Sequence, residues 1–285
     1  MRVRVRHEIT HRFEPVARHA IATLRLTPRS HVGQHVLRWA LDVTPDCRLM
    51  AEEDAFGNIV HTFSVEGAID AITVIAEGDV DTQDTTGVVA GGAERFPPSL
   101  FLRQTSLAEP DAAIAALAAR IAKDVSEPLG RLHALMVAIH KGVAEVPAAP
   151  DAAAAPAAKA LAAGKGTSAE LAHVFVSAAR ALRVPARQVS GYAALEAPAA
   201  FREWAEAHVP GIGWVGFDCG RNLCPTDDYV RLAAGLDSQA VAPMLSTGSI
   251  ARNTAVARDF FQAARPGQGQ QQGQRQQQGR GQRQE

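Results

Sequence analysis

The chain has 285 residues, which is enough for two domains of ordinary size that each bury a core. Its 29 basic and 30 acidic residues nearly cancel, which excludes bulk electrostatic attraction to nucleic acid or to a membrane surface. The first stretch, MRVRVRHEITHRFEP, lacks the apolar run of a signal peptide, and no later segment has the length and apolarity of a membrane helix. We therefore predict a cytoplasmic protein without a membrane partner.

Short bursts of alternating apolar residues dominate the first eighty or so positions. They are Val3, Val5, Ile9 and Phe13, then Leu37, Trp39, Leu41 and Val43, then Ile72 and Val74. Turn signals such as LTPRS, VTPD and AFGNIV separate the bursts, a pattern typical of short antiparallel strands. We predict an N-terminal antiparallel β-sandwich domain over residues 1–85 and a polar linker over 86–109.

After the linker the apolar period changes to that of helices. The stretches PDAAIAALAARIAK and EPLGRLHALMVAIHKGV each place apolar residues on one helical face, and a third helix is predicted from about Ala169 to Leu182. Prolines interrupt the Ala-rich run before this third helix, so we expect a loop there. The strands FREWAEAHVP and GWVGFDCG follow. Helices followed by antiparallel strands predict an α+β domain over residues 110–260.

The last residues, 261–285, form a Gln/Gly/Arg-rich tail, and Pro266–Glu285 has no apolar side chain apart from its proline. Such a segment cannot bury enough surface to offset its ordering entropy, so we predict that the tail is disordered. Arg275, Arg280 and Arg283 make it weakly basic, which leaves RNA binding through the tail as an alternative role.

The three cysteines, Cys47, Cys219 and Cys224, have no metal-ligand spacing and leave one thiol over if two of them join. Reduced cysteines suit the cytoplasm. Cys219 directly follows Asp218, so on a strand the two side chains point to opposite faces. We expect Cys219 and Cys224 to pack as small apolar groups rather than to act as nucleophiles.

Three stretches of the second half resemble the bacterial transglutaminase-like family in content and order: ALAAGKGTSAELAHVFVSAARALRVPARQVSGY, REWAEAHVPGIGWVGFD and YVRLAAGLDSQAVAPMLSTG. The stretches HEITHRFEPVARHAIATLRLTPR and DAFGNIVHTFSV resemble the β-domain at the N-terminus of that family. The resemblance covers nearly all of the chain except the tail. It implies a bacterial protein with a papain-like core, helices packed on an antiparallel sheet, and neither metal nor cofactor.

In the family that the chain resembles, a cysteine at the start of the third helix attacks an amide carbonyl. A histidine that opens the next strand moves the proton, and an aspartate that ends the strand after it orients the imidazole. The matching positions here hold Ser168, Arg202 and Asp218, so two of the three groups are replaced. A serine needs a neighbouring base, whereas a guanidinium has five donors and no acceptor. The set can bind an anion or polarise a carbonyl, but it has no evident way to activate the serine.

Arg202 and Asp218 should lie within reach of each other on neighbouring strands, as a guanidinium–carboxylate pair in place of the His-Asp pair. The alternative is that Arg202 simply reaches solvent. No histidine in the region replaces the missing base. His208 lies roughly 20 Å from Arg202 along the strand, and His173 points about 140° around the helix from Ser168.

The stretch GKGTSAELAHVF allows a structural explanation of Ser168. Thr167 and Glu170 have the Thr-x-x-Glu spacing of a capping box, and Ser168 follows as a small polar residue in the first turn. This structural role is favoured over nucleophilic catalysis. The candidates for lining a peptide-binding groove are Trp204, His173, Tyr192 and Trp214, with core packing as the alternative for each.

The favoured hypothesis is a catalytically degenerate pseudoenzyme that binds a peptide or protein segment in the former active-site cleft. By analogy with the bacterial relatives that it resembles, the partner could be an ATP-grasp-type or other peptide-modifying enzyme. A working amidase, peptidase or acyltransferase that uses Ser168 is the second hypothesis. RNA association through the tail is the third.

Overall fold

The computed structural model describes residues 1–149, 152–194 and 200–249. The predicted disordered tail lies outside these residues. The strands within them are β1 (Arg2–Thr27), β2 (Gln34–Thr44), β3 (Met50–Glu53), β4 (Ile59–Thr82), β5 (Val88–Val89), β6 (Ala144–Glu145), β7 (Lys165–Gly166), β8 (Ala186–Ala193), β9 (Ala200–Val209), β10 (Gly213–Phe217), β11 (Tyr229–Gly235) and β12 (Met244–Ser249). The helices are α1 (Ala112–Asp124), α2 (Pro128–Gly142), α3 (Ala157–Ala163), α4 (Ser168–Ala181) and α5 (Ser238–Val241), with a 3-10 turn at Pro98–Leu102.

The first sheet has the strand order β12-β1-β4-β2, and β3 also pairs with β4. Its antiparallel character is as predicted, but β1 and β4 run for 26 and 24 residues as one ladder. Register shifts, such as the one between Arg12 and Ala17, let this ladder continue where the sequence bursts suggested separate strands. The strands of the first half are therefore joined in one hydrogen-bonded antiparallel sheet, and residues of the second sheet, including Tyr192, Val230 and Leu232, pack in its apolar core.

The second sheet has the strand order β11-β8-β9-β10-β5, with antiparallel pairing throughout. Helix α4 packs on it, because Leu171 and Phe175 share one core with Ala205 and Phe217 of the strands. Helices α1, α2 and α3 surround α4 through the same core. The α+β fold predicted for the second half is confirmed.

Two short strands, β5 and β12, each pair with a strand from the other part of the chain. β5 comes from the predicted linker and pairs with β10, so this part of the linker belongs to the second sheet. β12 comes from the end of the predicted second domain and pairs with residues 19–24 of β1 in the first sheet. None of the helices in the described ranges is long and apolar enough to cross a membrane.

Candidate active site

Helix α4 begins at Ser168 with the predicted capping box, which is confirmed. The Thr167 hydroxyl accepts from the backbone nitrogen of Glu170 at 3.4 Å, and the Glu170 carboxylate accepts from the backbone nitrogen of Thr167 at 2.8 Å. The second oxygen of Glu170 accepts from the backbone nitrogen of Ala155 at 2.8 Å. The helix start is therefore fixed without any contribution from the Ser168 side chain.

The Ser168 hydroxyl faces strand β9 from the first turn of α4. Its Oγ accepts a hydrogen bond from the backbone nitrogen of Glu203 at 3.3 Å. Within the described residues, no side chain accepts a hydrogen bond from Ser168 Oγ. A serine nucleophile has to lose its proton to a base, and among the described residues this hydroxyl only accepts a hydrogen bond.

Arg202 of β9 and Asp218, directly after β10, form the predicted pair. Arg202 Nε and Nη2 donate to the two Asp218 oxygens at 2.7 and 2.9 Å. The Tyr229 hydroxyl also donates to Asp218 Oδ2, at 2.8 Å, and the backbone nitrogen of Arg221 donates to Oδ1 at 3.2 Å. Asp218 is 1% exposed and Arg202 is 8% exposed, so the solvent-facing alternative for Arg202 is wrong.

A second carboxylate, Glu145, completes the site, and no pattern in the sequence predicts its contact with Arg202. Arg202 Nη1 and Nη2 donate to the two Glu145 oxygens at 2.9 Å each. Burial works against the charge on Arg202, but the hydrogen bonds to Glu145 and Asp218 outweigh it and raise the pKa of this guanidinium. The two carboxylates use four of the five N–H groups of Arg202, which leaves little capacity to bind an anionic ligand.

The position of Glu145 depends on the chain segment that leads to Ser168. Its strand β6 pairs in parallel with β7, and Glu145 lies opposite Gly166. Arg202 therefore links three segments: β6 beside the helix start, β9, and the end of β10. The ion cluster, formed by Arg202, Asp218 and Glu145, holds these three segments together. In the family that the sequence resembles, a proton is transferred at this place.

Glu203, next to Arg202, points to the other face of the sheet and lies under the start of α4. Its carboxylate accepts from Gln188 Nε2 at 2.6 Å, and the same Nε2 donates to the backbone oxygen of Ala169 at 3.1 Å. Burial raises the pKa of Glu203 to about 8, although the hydrogen bond from Gln188 works in the opposite direction. Sequence analysis missed this group because a glutamate beside an arginine on a strand is usually solvent-exposed.

The residues that we predicted to line a peptide groove are core residues instead. Tyr192 and His173 are completely buried, and Trp204 and Trp214 are 3% and 5% exposed. His173 Nδ1 donates to the backbone oxygen of Ala155, and Nε2 accepts from the backbone nitrogen of Ser238. Burial lowers the pKa of His173, which keeps the ring neutral. The predicted groove contacts are therefore wrong, and the packing alternative holds for all four.

The other candidates for a nucleophile or base do not reach Ser168. Cys219 is buried, and burial, followed by the charge of Asp218, raises the pKa of its thiol. All three cysteines are free, and His208 packs edge-on against Trp214. In the described ranges, no group of three or more His, Cys, Asp or Glu side chains is placed to hold a metal ion.

Comparison with known proteins identifies both halves of the chain. Residues 3–81 match the bacterial transglutaminase-like N-terminal region, and residues 115–219, which include all three site positions, match the transglutaminase-like superfamily. An uncharacterized protein of Mycobacterium leprae is 25% identical over 261 residues, covering 85% of this chain and 91% of that protein.

Solved structures give the same fold. The crystal structure of a presumed cysteine protease from Cytophaga hutchinsonii has a TM-score of 0.71 at 20% identity, covering 87% of this chain and 86% of that one. The periplasmic domain of TgpA from Pseudomonas aeruginosa is also similar over 77% of this chain and 70% of that one, at 15% identity. The TM-score of this match is 0.38.

Proposed function

We propose that this chain, which belongs to the transglutaminase-like superfamily, is a catalytically degenerate member that binds a peptide or protein segment at its former active site. The observation that supports the proposal is the state of Arg202. It occupies the position of the family's base, has no acceptor, and gives four N–H groups to Asp218 and Glu145. Proton transfer from Ser168 therefore has no acceptor at the place where the family keeps one.

A binding role uses what the site retains. Ser168 is half-buried, and Lys165 of β7 and Val146, directly after β6, are exposed. A peptide segment that lies along this edge contacts an apolar side chain, a cation and the hydroxyl without any chemical step. Bacterial peptide-modifying pathways offer the partner class that we favour, namely an ATP-grasp-type or related enzyme acting in the cytoplasm.

We expect no amide cleavage or acyl transfer by this protein. The assay is the release of amine or ammonia from a panel of glutamine-containing and generic peptides. The natural protein and Ser168→Ala should give the same background rate. Turnover that disappears in Ser168→Ala would sink the proposal. The binding role is tested by measuring which peptides of the panel bind to the natural protein. Ser168→Trp should prevent this binding, whereas Thr247→Trp, a substitution at a remote exposed position, should not.

One observation favours a second candidate, a slow acyltransferase or amidase that uses Ser168. Glu203 is a buried acid under the first turn of α4, and a pKa of about 8 is suitable for a general base near neutral pH. Its carboxylate is hydrogen-bonded to Gln188 rather than to Ser168, so a rearrangement would have to precede proton transfer. In that case both Ser168→Ala and Glu203→Gln should abolish the same turnover.

A further inference from the structure

Glu203 is a buried carboxyl group that forms no ion pair and accepts one hydrogen bond in the described residues. It is 8% exposed, and none of the ion pairs in the described residues involves it. Among the residues that the structure describes, the amide of Gln188 is its one hydrogen-bond donor, and no backbone N–H of α4 donates to it. A carboxylate in this environment is expensive to keep ionised, whereas a neutral carboxylic acid is not.

Two polar side-chain atoms of β8 on the Glu203 side of the sheet lack a hydrogen-bond partner in the described residues. Gln188 Oε1 and Ser190 Oγ are both buried without a hydrogen-bond partner in the described residues. Ser190 lies directly opposite Glu203 in the β8–β9 register, so the two side chains share a face. A protonated carboxyl has one O–H donor that a carboxylate lacks. Gln188 Oε1, which can only accept, finds a potential donor in the protonated form of Glu203 and none in the ionised form, whereas the Ser190 hydroxyl can donate to either form.

Glu203 and Gln188 together connect the sheet to the start of α4. The Gln188 amide bridges the carboxyl group to the backbone oxygen of Ala169, and the backbone nitrogen of Glu203 donates to Ser168 Oγ. Both links end in the first turn of the helix. A displacement of Glu203 would release them together.

The charged groups that face Glu203 do not favour its ionisation. From the N-cap of α5, Asp237 acts on Glu203 with a charge of the same sign. On α4, His173 is neutral because burial lowers its pKa. β8 contributes only the neutral Gln188 and Ser190, and the neighbouring Arg202 is directed to Asp218 and Glu145 on the other side of the strand.

We propose that Glu203 is a proton-controlled latch: when protonated it holds the first turn of α4 and Ser168 against β8 and β9, and when it loses the proton that turn is released. The inference concerns the same region as the proposed function but does not depend on it, because the latch operates whether or not the site binds a peptide. The high pKa of Glu203, caused mainly by burial, puts release just above neutral pH.

The test is amide hydrogen exchange of Leu171–Val174 between pH 6 and 10, with protection factors corrected for the intrinsic rate. In the natural protein, protection of these amides should fall about tenfold for each pH unit between pH 6 and the Glu203 pKa of about 8 and should level off above it, because the open state releases the proton at an ordinary glutamate pKa. Glu203→Gln, which keeps the shape and resembles the neutral acid, should remove this pH dependence. Glu77→Gln, an exposed acid on the first sheet, should not alter it.

A measurement on the natural protein keeps the test valid if Glu203→Gln does not fold. The side-chain carboxyl carbon of Glu203 should titrate in the NMR spectrum well above the range of the other glutamates, in step with the loss of protection. Titration at an ordinary glutamate pKa would overturn the latch. So would protection factors in α4 that stay constant from pH 6 to 10.

Discussion

Arg202 lies on β9 and Asp218 directly follows the adjacent strand β10, and two hydrogen bonds of 2.7 and 2.9 Å join the guanidinium to the carboxylate. In a papain-like site these two positions belong to the base and to the group that orients it. The retained aspartate still orients its neighbour, but that neighbour cannot accept a proton. The pair is therefore joined as a base and its orienting group would be, but without a proton acceptor.

Removing Arg202 should destabilise the protein strongly. Arg202→Met leaves Asp218 and Glu145 without their cation, and Asp218 is 1% exposed, so we expect a loss of about 3–5 kcal/mol in the free energy of unfolding. Urea denaturation of both proteins measures it. Arg2→Met removes an exposed guanidinium that also contacts a carboxylate, Asp81, and should have a much smaller effect. Equal effects of the two substitutions would show that the cluster does not hold the site together.

Because Gly220 has no side chain, the Glu145 carboxylate can occupy the space beside it. A Cβ at this position would lie 1.7 Å from Glu145 Oε2 and 2.9 Å from Arg202 Nη2. Gly220→Ala should therefore displace Glu145 and cost about 1–3 kcal/mol, as expected for overpacking. The loss should shrink in a Glu145→Ala background, which a double-mutant cycle measures. Gly142→Ala is the control because nothing lies within 4 Å of its added Cβ.

Glu203 should make stability fall as pH rises. Its pKa is raised from 4.5 in the unfolded chain to about 8 in the folded protein, so the folded state holds the proton more tightly between these values. Its stabilising contribution is complete below pH 4.5 and is lost progressively up to about pH 8. Glu203→Gln should abolish this slope and be more stable than the natural protein at pH 8. Parallel stability curves for the two proteins from pH 5 to 9 would contradict this expectation.

The capping box should matter more to α4 than Ser168 does. Thr167→Ala removes the acceptor for the backbone nitrogen of Glu170 and should cost about 1 kcal/mol. Ser168→Ala removes only one long hydrogen bond, from the backbone nitrogen of Glu203, and should cost less. Thermal unfolding of both variants provides the comparison. A larger loss for Ser168→Ala would give the Ser168 hydroxyl a structural role that its contacts do not explain.

Restoring the family residues should restore chemistry, because the scaffold around them is intact. In the variant Ser168→Cys/Arg202→His/Glu145→Gln, the new imidazole can be oriented by Asp218, and the helix start favours a thiolate. The third change removes a carboxylate that would otherwise lose its cation. Amide or ester turnover should appear in this variant and be absent from Ser168→Cys alone. Similar rates in both would mean that Arg202 is not what prevents catalysis.

Much of the fold and part of the site could be predicted from local patterns. The spacing of Thr167 and Glu170 predicted a capping box, and the positions of Arg202 and Asp218 on neighbouring strands predicted their contact. These features depend on residues within one helical turn or on a recognisable strand order. The helical periods before α4 likewise placed α1 and α2 correctly.

The remainder depends on long-range packing that no local pattern reports. Glu145 is 57 positions from Arg202, and a single acid between two apolar residues gives no sign of such a contact. Glu203 follows Arg202 on β9, so their side chains point to opposite faces of the sheet. The face that carries Glu203 is buried only because α4 packs on it. The short β12, with the sequence MLSTGS, has too little apolar alternation to reveal that it returns to the first sheet.

The most direct measurement of whether Ser168 is an activated nucleophile is its reaction with a fluorophosphonate, which phosphonylates activated serines, with loss of fluoride, without requiring knowledge of the substrate. Intact mass and peptide mapping should show no adduct at Ser168 in the natural protein, at concentrations that fully label a serine hydrolase. This result is expected because Arg202 cannot accept a proton and its donors are held by Asp218 and Glu145. A stoichiometric adduct at Ser168, absent from Ser168→Ala, would contradict it and establish a working enzyme.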